Sequence, residues 1–313
     1  MKLLKGLISH PTGRVGLIIV VAVSLIAIAA SVIAPYNPYD LFDRDMPRLA
    51  PSSEHLLGTD HVGNDILAKL MYGARISLIV GLVTGISATL LGALLGMMAG
   101  YLGGWFDTII MRMVDVMMTI PSLPLMILIA TYVGTQFYMI IIIFTLLGWT
   151  GMARTIRAQV LSLKSQKYIT AAELAAASRP YVMFRHILPE ISPLLIVSGV
   201  LSAAGVMVAE AGLSFLGFGD PKAISWGKML FEAQANHGLL LKAWWWVLPP
   251  GLAIFVTVIG FMLVGYALEE IVNPRVRRMR LMQKLYGKLA GDRGFCPVPV
   301  KPEGGGAVDA KRG

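Results

Sequence analysis

Six long apolar runs, almost free of charge, set the terms on which this chain can fold. They cover roughly residues 15–33, 76–100, 108–130, 137–152, 193–210 and 246–266. About 20 apolar residues cross the hydrocarbon core of a bilayer as a helix, and a helix satisfies its own backbone polar groups there. The expected fold is therefore all-α, with six transmembrane helices. With 56% hydrophobic and only 14% charged residues among 313, the chain has too little polar surface for a soluble domain of its length. Glycines 81, 85, 92 and 96 in the second run favour close helix approach. Pro121 and Pro124 should break the third run.

Charge gives the expected orientation, because Lys and Arg accumulate in loops that stay in the cytoplasm. With the N-terminus inside, all but seven of the 27 basic residues fall on the cytoplasmic side. The exceptions are Arg44, Arg48, Lys69, Arg75, Lys222, Lys228 and Lys242. Six spans then place both termini, and the loop 153–189, in the cytoplasm of a multi-pass protein of the plasma or inner membrane. The net charge of +9 is explained by this asymmetry, so nucleic acid is not an expected partner, whereas the bilayer is. Arg275 to Arg280 lie where anionic headgroups would meet them. The basic start, apolar run and Ala27-Ile28-Ala29 imitate a signal peptide, but the run is too long for a typical one, and the first helix is expected to be retained.

Three domains are expected: 1–74, an N-terminal tail, first helix and external loop; 75–272, a five-helix core carrying the loop 153–189; and 273–313, a basic tail. The tail is rich in Gly, Pro and charge and reads as disordered. It holds the lone cysteine, Cys296, so no intrachain disulfide can form. Neither a metal cluster nor a catalytic residue is expected.

An ATP-driven pump needs a phosphate-binding loop, and G-x-x-x-x-G-K-[ST] does not occur. Gly227-Lys228 is followed by Met229, and Gly287-Lys288 by Leu289. Any ATP chemistry would belong to another chain. An ion-driven carrier working alone should hold ionisable groups near the middle of its spans, and none is evident there. A channel or membrane scaffold is a further alternative. Arg112 and Asp115, three residues apart, share a helix face and read as an interfacial ion pair. Glu210, at the outer end of the fifth span, reads as a solvated helix end, with a contact to cargo or to an external partner as the alternative.

The polar interruption YITAAELAAASRPYVMFRHILP, residues 168–189, is the most distinctive segment. Ala171, Ala172, Ala175, Ala176 and Ala177 favour a thin helix able to enter a partner's groove; Arg179-Pro180 should break it. This segment resembles the cytoplasmic coupling loop of ABC importer permeases, E-A-A, three residues, G, and later I-x-L-P. His55 to Asp60 with Gly63 and Asp65, and Tyr72 to Leu78, resemble the start of the second permease of dipeptide, oligopeptide and nickel importers. Gly212 to Gly219 with Ser225-Trp226-Gly227, and Pro249 to Ile254 with Asn273-Pro274-Arg275, resemble later segments of that subfamily.

The resemblance implies a type I importer permease with a homologous second permease, two ABC ATPase subunits and an extracytoplasmic substrate-binding protein. No cofactor is implied on this chain, ATP and Mg being held by the ATPases. The implied coupling residues are Thr170, Ala171, Ala172, Glu173, Ala176, Ile187, Leu188 and Pro189; Glu210 and Trp226 are candidate contacts to cargo or binding protein. Short peptides are the implied cargo, with nickel chelates or oligosaccharides as alternatives. Thr170 stands at the family's glutamate and Ala176 at its glycine. A more helical turn is therefore expected at Ala176, and Glu173, three residues past Thr170, is expected to replace part of the missing carboxylate. Asp40, Asp43, Asp45, Glu54, Asp60 and Asp65 suggest an acidic surface for the binding protein, and Trp244 to Trp246 an interfacial anchor.

Overall fold

A computed structural model describes residues 2–39 and 46–272, and these residues form one helical unit. Its helices are α1 (Lys2–Ser9), α2 (Pro11–Ile33), α3 (Ile66–Leu102), α4 (Gly104–Thr119), α5 (Ser122–Val133), α6 (Phe137–Lys164), α7 (Lys167–Leu174), α8 (Arg179–Val182), α9 (Leu188–Leu213), α10 (Trp226–Ala235) and α11 (Trp244–Val272). Among the described residues there is no strand, only an isolated bridge between Thr59 and Asp65. The expected tail 273–313, Asp40, Asp43 and Asp45 lie outside the described residues.

Among the described residues, five helical runs are long and apolar enough to cross a membrane, and the pair α4 and α5 makes a sixth if its 93° bend lies within one span. The third expected span is thus two helices. Pro121 ends α4 as expected, whereas Pro124 falls in the first turn of α5, where no intrahelical N–H partner is lost. The second span begins ten residues earlier than its apolar run, because Asp65 caps α3 by accepting from the Ala68 amide at 2.7 Å. Pro180 starts α8 instead of breaking a helix, and the chain then continues through a π-helical turn, Met183–Ile187, into α9.

Helix α3 is the axis of the bundle, and its glycines decide how close its neighbours come. A methyl group on Gly85 would stand 2.6 Å from Ala203 N of α9; one on Gly96 would stand 2.3 Å from Ala153 O of α6. Both helices pack backbone to backbone on α3 at these points, the geometry small residues allow in apolar surroundings. Arg75 ties α3 to α2 by donating to Ala27 O and Ile28 O, the latter at 3.0 Å. The ends of the bundle differ in character. One carries Tyr101, α7 and the start of α9 (the basic end); at the other, residues 46–65 and α10 fold over α3 and α11 (the cap).

Candidate functional site

At the basic end, α7 buries one side chain, Ile169, and presents most of the others outward. Ile169 is fully buried in a cluster with Tyr101, Leu163, Val182 and Ile187. Thr170, Ala171, Glu173 and Ala176 are exposed, Ala172 is half-buried, and Leu174 is 84% exposed. Of the expected exit residues, Ile187 is interior, Leu188 half-buried and Pro189 exposed, so that part of the motif roots the segment in the bundle.

The expectation of a more helical turn at Ala176 is overturned. Ala176 has φ +59°, its amide bonds Glu173 O at 3.0 Å, and the Ala177 amide bonds Ala172 O at 3.1 Å. These two bonds and the left-handed residue form a Schellman cap, the usual place for glycine. The two hydrogen bonds outweigh the left-handed penalty on alanine, of about 1 kcal/mol. Ala176→Gly should remove that penalty and slow opening of α7, read as amide exchange at Ala175 to Ala177, by roughly fivefold. Unchanged exchange would mean the turn is not under strain.

Glu173 reaches back into the protein: Tyr101 Oη donates to Glu173 Oε1 at 3.0 Å. Tyr101 is buried at the end of α3, and Lys164 Nζ donates to its carbonyl at 2.9 Å. Thr170 Oγ1 faces its own helix, toward Gln166 O at 3.4 Å. The carboxylate thus links α7 to α3.

Arg112 and Asp115 do not pair. Asp115 accepts from Arg154 at 2.6 Å, and Asp107 accepts two bonds from Arg157, at 2.5 and 2.6 Å. Sequence spacing favoured the neighbour on the same helix, but α6 runs alongside α4 and offers arginines to both carboxylates. Arg112 is exposed beside Ile109, Met113, Val116 and Met117.

The cap contains the groups sequence reading misplaced. Glu210 is 3% exposed, not a solvated helix end; its Oε1 accepts from Ser214 Oγ at 2.7 Å and Ser225 Oγ at 2.9 Å, while Oε2 has no partner among the described residues. Trp226 is buried as well, donating from Nε1 to Leu70 O at 2.9 Å and edging an apolar groove of about 390 Å³ between α2, α3 and α11. Neither side chain lies on an open surface. Trp246 is 1% exposed and stacks on His61, leaving Trp244 as the exposed member of the tryptophan run.

Asp60 and Asp65 are internal too, so the acidic stretch is not a uniform surface. Lys69 Nζ donates to Asp60 Oδ2 at 2.8 Å and also to Glu232. Burial alone would raise the Asp60 pKa, yet the Lys69 charge and hydrogen bond, with the Val62 and Asn64 amides, hold it below its ordinary value. Asp60, His61 and Glu232 place ligand atoms within 4.8 Å of one another. The Lys69 ammonium already supplies the positive charge there.

Residues 92–278 match the family model of the binding-protein-dependent transport system inner membrane component, and residues 3–51 match the N-terminal TM domain of oligopeptide transport permease C. The dipeptide transport system permease protein DppC of Escherichia coli is 43% identical over 271 residues, covering 84% of this chain and 89% of that protein. The oligopeptide transport system permease protein OppC of Bacillus subtilis is 35% identical over 273 residues, covering 86% and 88%.

Proposed function

Because the chain belongs to the family of binding-protein-dependent transport system inner membrane components, we propose that it is the permease subunit of an ABC importer and forms half of a passage for di- or oligopeptides. The cargo class is supported by relatives named as dipeptide and oligopeptide permeases. In this reading six spans cross the cell membrane with both termini in the cytoplasm. A homologous permease completes the passage, two ATPase subunits hold ATP and Mg, and an extracytoplasmic binding protein delivers the peptide. This chain supplies no catalytic group or cofactor.

The observation that carries the reading is α7: an exposed helix fixed to the bundle at Ile169 and linked to α3 through Glu173 and Tyr101. An ATPase pressing on Thr170, Ala171, Glu173 and Leu174 would move a lever with two attachments. Ile169 passes displacement to Ile187 and thus to α9, while Glu173 passes it to α3. Opening one end of the bundle and closing the other would then follow ATP binding and release.

Glu173→Ala and Tyr101→Phe should each lower peptide uptake per ATP hydrolysed, by roughly two- to tenfold, with Thr170→Ala close to wild type. A silent Tyr101→Phe beside a defective Glu173→Ala would place the carboxylate's action on the ATPase directly.

The proposal as a whole is tested by reconstituting the four kinds of subunit in liposomes. Peptide uptake should require ATP, the binding protein and this chain. Glu210, a buried carboxylate near the cap end of α9, is the ionisable group an ion-driven carrier would have to use; uptake by this chain alone under a proton or sodium gradient would favour that reading.

A further inference from the structure

We infer that Arg112, with the methionine-rich face around it, is a cargo handhold that binds the terminal carboxylate of the passing peptide; this rests on the peptide-importer reading above. Helix α4 buries Ile110 and Val114. Arg112 lies about 200° around the helix from each, so it points straight away from the chain's own core. Both carboxylates of α4 are neutralised by α6: Asp107 by Arg157 and Asp115 by Arg154. Arg112 is left as the charge on α4 that has no ion pair or hydrogen bond among the described residues.

A guanidinium facing acyl chains is expensive, and such groups in membrane segments face a bundle interior or a wet passage. Its apolar neighbours supply no counter-charge, which a carboxylate moving through such a passage would. Met113 and Met117, with Ile109 and Val116, make a soft apolar surface beside the charge. Methionine is unbranched and polarizable, and adapts to varied apolar partners. Arginine forms forked, bidentate bonds with carboxylates. A short peptide has one constant group, its terminal carboxylate, and variable side chains. This face matches both parts: a fixed fork for the constant group and adaptable packing for the variable ones.

The test uses the complete transporter in liposomes and compares Arg112→Gln and Arg112→Lys with wild type. Uptake of a tripeptide bearing a photoreactive side chain is measured alongside its C-terminal amide. Uptake of the free acid should fall roughly tenfold or more in Arg112→Gln and less in Arg112→Lys. Basal ATP hydrolysis and amide uptake should not change. Photolabelling of α4 by the free acid should disappear in Arg112→Gln. Equal loss for acid and amide together with failed subunit assembly would assign Arg112 to an acidic residue of the second permease and overturn the inference. Dependence on anionic lipid content instead of the peptide terminus would assign it to a headgroup, with the same consequence. Unchanged acid uptake in the variant refutes the handhold alone; no peptide uptake by wild type refutes the peptide-importer reading on which it rests.

Discussion

Replacing Lys69 by methionine should destabilise the cap by about 3–5 kcal/mol, the cost of leaving buried charge without its partner. Lys69 is 4% and Asp60 0% exposed, and the ammonium joins Asp60 in the loop to Glu232 on α10. Without it two carboxylates face each other with little water to screen them. Thermal unfolding in detergent and protease cleavage within residues 46–65 would report the loss. Combining Lys69→Met with Asp60→Asn and Glu232→Gln should restore much of the stability, since the uncompensated charges are then gone. Failure of that rescue would mean Lys69 matters through its packing.

The same network fixes the sign of a pH effect. The Asp60 pKa is depressed below its ordinary value of 3.8 in the folded protein. Its stabilising contribution is therefore fully present above that value and lost as pH falls through the folded pKa. In Lys69→Met the cation that lowers it is absent and burial raises it instead. The gap between wild type and variant should accordingly narrow as pH falls, first through the variant's raised Asp60 pKa, where the variant regains stability, and then below 3.8, where wild type loses it.

The second large effect is expected at Ile169. It is the buried residue of α7, packed on Leu163, Val182 and Ile187. Ile169→Asp would put a carboxylate into that apolar cluster, and α7 should detach sooner than the charge be buried. Peptide uptake should fall to background while ATPase subunits still hydrolyse ATP, because the receiver is loose but the motor intact. Ile169→Val, which removes one methylene at a cost of about 0.5–1.5 kcal/mol, should keep most uptake. Normal coupling in Ile169→Asp would show that α7 is not the lever.

How much of this was legible in the sequence depends on the residue. The spans were, because an apolar run of some 20 residues admits few other fates; the bend at Pro121 was as well. That a short helix with an exposed face lies at residues 167–174 was visible from its alanines and polarity. The left-handed turn at Ala176 was not, since alanine's own preference argues against it and only the Ala172 and Glu173 carbonyls reverse that preference. Asp60, Asp65 and Glu210 read as surface groups because charge is normally solvated. What internalises Asp60 and Glu210 is the return of α10 and its Ser225 cap onto the bundle, a long-range contact with no local signature, whereas Asp65 is taken inside by capping α3 and bonding His55. A hint existed in Lys69, a lone cation within the first turns of an apolar helix that needed an acid nearby. Asp115 was given the wrong partner for the same reason: spacing along α4 is visible in sequence, and the proximity of α6 is not.

The account stands on α7 being the place where an ATPase grips a bundle that has no energy source of its own. The most direct measurement is disulfide cross-linking from a cysteine placed at Leu174 to the ATPase subunit, in the assembled transporter with Cys296 replaced by serine. Cross-linking is expected to occur, to change with ATP binding, and to be blocked only by thiol reagents that enter the cell. Labelling of that cysteine from outside intact cells, or a complex that transports peptide with no cross-link under any nucleotide condition, would contradict it.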